Sequence, residues 1–167
     1  VFLDQLEEFS PETLESFQKL VATGRAEVLE ETYYHSLSFL YSPEEFRRQV
    51  ALHKAKIQKL FGVTPTVFRN TELIYNNALA HEVEKMGYKG IIAEGADHVL
   101  QWRSPNFLYR PQGTENIKLL LKNYRLSDDI AFRFSSKEWN EHPLTAPKFA
   151  NWVSQVNGGG NVVNLFM

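Results

Sequence analysis

A chain of 167 residues is long enough for one domain with a sizeable core, and 43 % hydrophobic and 13 % aromatic content mark it as globular and rich in rings. A net charge of −2 argues against bulk binding to nucleic acid or to anionic membranes. The absence of cysteine excludes disulfides and thiolate metal sites, and no apolar run approaches the roughly 18–20 residues of a membrane span.

The chain opens at Val1 with "FLDQLEEF", an amphipathic segment already under way. "SPETLESFQKLVATG" predicts a helix, with Ser10 as N-cap, Pro11 at the first helical position and Gly24 as the stop. "AEVLEETYY" reads as a strand running into a loop. "SPEEFRRQVALHKAKIQKLFG" carries a capping box, Ser42 with Glu45, and an apolar stripe of Phe46, Val50, Ile57 and Leu60 closed by Gly62. "TPTVFRN" is the next strand. "ELIYNNALAHEVEKMG" follows as a helix with Tyr75, Leu79, Val83 and Met86 on one face. "YKGIIAEG" reads as a buried strand, and "NFLYRP" and "IKLLLKNY" are short apolar runs. A helix is predicted from about Thr145, the "NGGG" at 157–160 is a turn, and "NVVNLFM" is a last strand. The alternation argues for an α/β fold with a parallel sheet or barrel. Both ends read as interrupted, so residues 1–167 are expected to be an internal segment of one domain in a longer protein.

In parallel α/β folds, sites gather where strands end. That rule selects Glu30, Glu31, His35, Arg69, Glu72, Glu94, Asp97, His98, Arg125, Asp128 and Asp129, with Glu27 inside its strand. Carboxylates and histidines on one rim suit hydroxyl-rich ligands, and Tyr33, Tyr34, Trp102 and Tyr109 offer rings for stacking on sugars. Each residue also has a plainer role. Glu72 fits the first turn of a helix, Glu27 an exposed strand edge, His35 a packed loop, and Asp128 a helix cap. Trp102, Trp139 and Trp152 fit a core. No His-x-x-x-His, His-Glu-x-x-His, Gly-x-Ser-x-Gly or Gly-x-Gly-x-x-Gly pattern is present, which leaves carboxylate chemistry and neither a metal nor a cofactor.

"GRAEVLEETYYHSL" (24–37) and "VFRNTELIYNN" (67–77) resemble two conserved blocks of glycoside hydrolase family 57. "GADHVLQWRSPNFLY" and "LSDDIAFRFS" resemble stretches of that family's α-amylase branch. The resemblance implies a partial, irregular TIM-like (β/α)7 barrel, truncated at both ends, acting on an α-glucan or malto-oligosaccharide by retention. It makes Glu72 the nucleophile and places Glu27 and His35 at the donor-sugar subsite. Arg69 stands where many members carry tryptophan, three residues before Glu72, as a cation for the ionised carboxylate. Asp97 and Trp102 complete the expected substrate-binding set. The family's acid/base Asp follows a later strand resembling "NVVNLFM" and is expected just beyond Met167, with Asp128 or Asp129 as the substitutes. The family's first histidine block is expected upstream of Val1. A non-catalytic glucan-binding protein and a metal-dependent polysaccharide deacetylase on a related barrel are the alternatives. A cytoplasmic protein without nucleic-acid or membrane partners is expected.

Overall fold

A computed structural model describes residues 1–167. Two helices open the chain, α1 (Phe2–Phe9) and α2 (Pro11–Ala22), with non-helical Ser10 between them and Pro11 at a position where a missing N–H costs nothing. Helix α3 (Pro43–Phe61) starts as its capping box dictates. Ser42 Oγ accepts the Glu45 N–H at 3.2 Å, and Gly62 ends the helix at φ +68°, a left-handed value glycine adopts without strain.

Three short parallel strands follow, β1 (Val67–Arg69), β2 (Gly90–Glu94) and β3 (Lys118–Lys122), in the spatial order β1-β2-β3. Helix α4 (Asn77–Lys85) connects β1 to β2, the short α5 (Asp97–Leu100) follows β2, and α6 (Tyr124–Asp128) and α7 (Ala146–Ser154) follow β3. Ile91 pairs with Phe68 on one side and Leu119 on the other. Single parallel bridges continue the sheet at each edge, Glu30 to Phe68 and Asn164 to Lys122. The α/β fold with a parallel sheet is therefore as expected, but "AEVLEETYY" and "NVVNLFM" are each reduced to one bridged residue. No helix is long and apolar enough to cross a membrane.

Strand alternation sorts the residues onto two faces. Phe68, Ile91, Ala93, Leu119 and Leu121 pack with Phe46, Val50, Leu79 and Val83 of the helices into one core. Phe39, Phe46 and Phe68 stack edge-to-face at 5.3 and 5.7 Å, and the fully buried Phe46 and Phe68 each contribute about 1.5–3 kcal/mol, with Phe39 partly buried against them. Arg69, at the end of β1, belongs to the opposite face.

The helix expected from Glu72 starts later. Thr71–Leu73 form a 3₁₀ turn in which Glu72 has φ 54° and Leu73 φ 56°. Two left-handed residues cannot open an α-helix, and Asn76 caps α4 instead, its side chain accepting the Leu79 N–H at 2.8 Å. Trp139 and Trp152 form an edge-to-face pair at 6.0 Å, half-buried rather than in the core, and Trp102 is exposed.

Candidate active site

The exits of β1 and of the Glu30 segment lie side by side, and successive residues point to opposite faces. Glu30 points into the layer between sheet and helices and is fully buried. Its Oε1 lies 2.5 Å from His53 Nδ1 and its Oε2 accepts the Tyr88 hydroxyl at 2.8 Å. Burial, then the Glu30 charge and hydrogen bond, hold the Tyr88 phenol far above its ordinary range, so it remains a donor. Glu31 shares the other face with Arg69, and Arg69 Nη1 donates to Glu31 Oε2 at 3.2 Å. The guanidinium also lies over the Phe166 ring, 5.0 Å from its centroid.

From Glu31 the chain of contacts runs outward. His35 Nδ1 is 3.4 Å from Glu31 Oε2, and His35 Nε2 is 3.1 Å from Glu72 Oε1. A neutral imidazole has one N–H and can donate to one of these carboxylates; a doubly protonated one bridges both. His35 has φ 52°, so the two touching residues, His35 and Glu72, both occupy the left-handed region. Such backbone costs of order 1–3 kcal/mol per residue and persists only where surroundings over-determine it. Here buried hydroxyls do so. Thr71 Oγ1 donates to Ser36 O at 2.9 Å and lies 3.3 Å from Thr32 Oγ1, which accepts the Ser36 N–H at 2.9 Å. Asn70 Nδ2 donates to Ile74 O at 2.9 Å, closing the turn that carries Glu72.

The Glu72 side chain is 73 % exposed, so its charge carries little desolvation cost and its free oxygen faces solvent. Beside it lies a cavity of 700 Å³ walled by Glu31, His35, Arg69, Tyr33, Tyr34 and Phe166, within the range for small-ligand sites. Tyr33 is fixed there by donating to Asp4 Oδ2 at 2.6 Å, and Asp4 also pairs with Lys56 at 2.6 Å. No group of three His, Asp or Glu side chains converges as a metal site. The arrangement supplies an exposed carboxylate, an imidazole in contact with it, a cation–carboxylate pair behind, and aromatic walls.

The structure thus brings His35, Arg69 and Glu72 to one cluster, with two differences from expectation. Arg69 pairs with Glu31, and the group touching Glu72 is His35. Glu27 is set apart. It lies exposed at the start of its segment, accepts from Thr66 Oγ1 at 2.7 Å, and so sits at the opposite end of β1 from Glu72. Asp97 and Trp102 occupy the exit of β2, where Asp97 binds Tyr124 and Arg125. Asp128 pairs with Lys122 at 3.4 Å and Asp129 with Arg133 at 2.7 Å, away from Glu72. Glu31 was one of many strand-end carboxylates in the sequence, distinguished only by the period-2 alternation that puts it beside Arg69. Phe166 carried no signal.

The family model for glycosyl hydrolase family 57 matches residues 1–167. A Methanocaldococcus jannaschii protein, provisionally named an alpha-amylase, is 46 % identical over 168 residues, covering 100 % of this chain and 35 % of its own length. The chain therefore spans about a third of that relative. A solved 4-alpha-glucanotransferase from Thermococcus litoralis superposes with a TM-score of 0.68 at 21 % identity, over 78 % of this chain and 21 % of that one. A Mycobacterium smegmatis protein, provisionally named a polysaccharide deacetylase, gives a TM-score of 0.59 at 15 % identity over 93 % of this chain and 53 % of its own. At such identities the structures share a fold, and the fold alone does not choose the reaction.

Proposed function

This chain belongs to glycosyl hydrolase family 57, and from that premise we propose that it carries the nucleophile of a retaining, α-amylase-like enzyme acting on α-1,4-glucans. Glu72 attacks the anomeric carbon and forms a glycosyl-enzyme intermediate, which water then hydrolyses. The observation that supports this is the 3.1 Å contact of Glu72 with His35, both on left-handed backbone at a strand exit beside an open cavity. His35 and the Arg69–Glu31 pair orient the carboxylate and line the donor-sugar side. The relative's provisional name favours hydrolysis over transfer.

Retention requires a second carboxyl group about 5–5.5 Å from the first, acting as acid and then base. Asp128 and Asp129 are engaged with Lys122 and Arg133. The acid/base is assigned to an Asp following the Asn164 segment, beyond Met167 in the full-length protein. The sheet is read as part of a (β/α)7 barrel. Single bridges continue it at both edges, and Phe166, just past one edge, stacks on Arg69 near the other, as a curling sheet requires.

The test is turnover of an activated maltoside by full-length Glu72→Gln protein. Loss of glycosyl-enzyme formation is expected, and wild-type turnover would remove Glu72 from the chemistry. Wild-type protein that binds malto-oligosaccharide without any turnover would select the non-catalytic, glucan-binding alternative.

A further inference from the structure

Between Glu30 and Ser36 the chain has little backbone support from the sheet. The Glu30 N–H donates to Val67 O at 2.9 Å, its carbonyl accepts the Arg69 N–H at 2.8 Å, and the pairing with β1 stops there. Glu31 and His35, which this segment brings to the Glu72 site, both lie past that point. Side chains hold them instead, and some come from α3. The apolar stripe of that helix, Phe46, Val50 and Ile57, is interrupted by two polar residues one turn apart, Gln49 and His53. His53 grips the segment at Glu30. Gln49 grips it at the other end, around His35.

Gln49 is 5 % exposed, and a buried amide costs free energy unless its oxygen and nitrogen find partners. Its Oε1 accepts the Ser36 hydroxyl at 2.8 Å and faces the Tyr34 N–H at 3.4 Å, so it meets the residues on either side of His35. Its Nε2 donates to Glu45 Oε1 at 2.8 Å, one turn back on α3. Glu45 decides which way round the amide sits. Arg48, bonded to both Glu45 oxygens at 2.7 Å, and then Gln49 itself hold that carboxyl down at about 2. An ionised carboxylate only accepts, so Gln49 turns its nitrogen to Glu45 and its oxygen to the His35 turn.

That turn carries His35 at φ 52°, a backbone conformation that needs outside support. The Thr71 hydroxyl bonds Ser36 O and Gln49 bonds the Ser36 side chain, so Ser36 is fixed from the Glu72 side and from α3 at once. We propose that Gln49 is a positioning residue of the Glu72 site. It acts through Ser36 and the Tyr34 N–H to hold the His35 imidazole against the Glu72 carboxylate, and it touches neither the substrate nor the reacting atoms. The assignment rests on the reading of Glu72 as the nucleophile. A side chain that only packed at this place could be replaced by methionine, which is flexible and of similar length. A positioning role does not survive that change, because the thioether offers the turn no comparable acceptor.

The experiment is steady-state turnover of an activated maltoside by the full-length protein. A misplacement of about 1 Å can cost about a hundredfold, so Gln49→Met is expected to lower kcat by about ten- to a hundredfold while KM stays within about twofold. Gln49→Glu keeps the oxygen that faces the turn but sets a second carboxylate against Glu45, and kcat should fall likewise. Exchanging the pair, Glu45→Gln with Gln49→Glu, again places a donor opposite an acceptor and should return most of the lost kcat. The exchange preserves net charge and side-chain size, so it carries the test even if Gln49→Met does not fold. Wild-type kcat in Gln49→Met, or an exchange no better than Gln49→Glu alone, would overturn the proposal. Undiminished turnover by Glu72→Gln in the same assay would instead remove the nucleophile. An inactive Glu72→Gln beside a wild-type Gln49→Met removes the positioning role and leaves the nucleophile standing, so the two readings fail separately.

Discussion

Replacing His53 by alanine is expected to destabilise the protein strongly, because of what it leaves behind. Glu30 is 0 % exposed, and its two oxygens are taken by His53 Nδ1 at 2.5 Å and the Tyr88 hydroxyl at 2.8 Å. His53→Ala strips one oxygen of its partner and leaves a buried carboxylate undercompensated, a change that costs about 3–5 kcal/mol. Tyr88→Phe removes one hydrogen bond to the same charge, about 1.5–3 kcal/mol. Glu30→Gln keeps the shape, removes the charge and still offers an acceptor to Tyr88, so it should cost about 1 kcal/mol. The expected order of loss is His53→Ala, then Tyr88→Phe, then Glu30→Gln. Urea unfolding of the full-length protein, followed by tryptophan fluorescence, measures it through shifts in midpoint at constant slope. A His53→Ala midpoint equal to wild type, or Glu30→Gln as the most damaging of the three, would refute the argument that the buried charge sets the cost.

Two further changes test the geometry around the strand exits. Gly95→Ala places a Cβ 2.3 Å from Lys122 O, where backbone must move, and should cost about 1–3 kcal/mol in the same urea assay; an unchanged midpoint would mean that the exits of β2 and β3 separate freely. Arg69→Lys keeps a cation near Glu31 but loses the flat guanidinium that lies 5.0 Å from the Phe166 centroid, so kcat/KM on a malto-oligosaccharide should fall roughly tenfold, and steady-state kinetics matching wild type would show that charge alone suffices.

Much of the frame could be read from the residues, because local rules governed it. The Ser42 cap, the Gly62 stop and the apolar stripe of α3 act within one element, and the structure keeps them. The start of α4 could not be read. Glu72 and Leu73 have no intrinsic preference for the left-handed region, and they are held there by Thr71, Asn70 and Thr32, the first two within two residues of Glu72 and the last about forty residues away. The hydrogen-bond partner of Arg69 is hidden in the sequence for a related reason. Proximity in sequence pointed to Glu72, whereas the pleat places Arg69 on the same face as Glu31 of the neighbouring segment. Glu27 satisfies the motif in sequence, but it lies three positions before Glu30, and the intervening Val28 and Leu29 carry it to the far end of β1. The Glu30–His53–Tyr88 group joins three elements, and no spacing along the chain announces it.

The most direct test of the central claim is to identify where the sugar attaches. A fluorinated maltosyl donor that traps the glycosyl-enzyme, followed by peptide mass spectrometry of the full-length protein, should add one glycosyl group to the peptide carrying Glu72, with no label in Glu72→Gln. Label on the Glu31 peptide, or undiminished labelling in Glu72→Gln, would contradict the assignment.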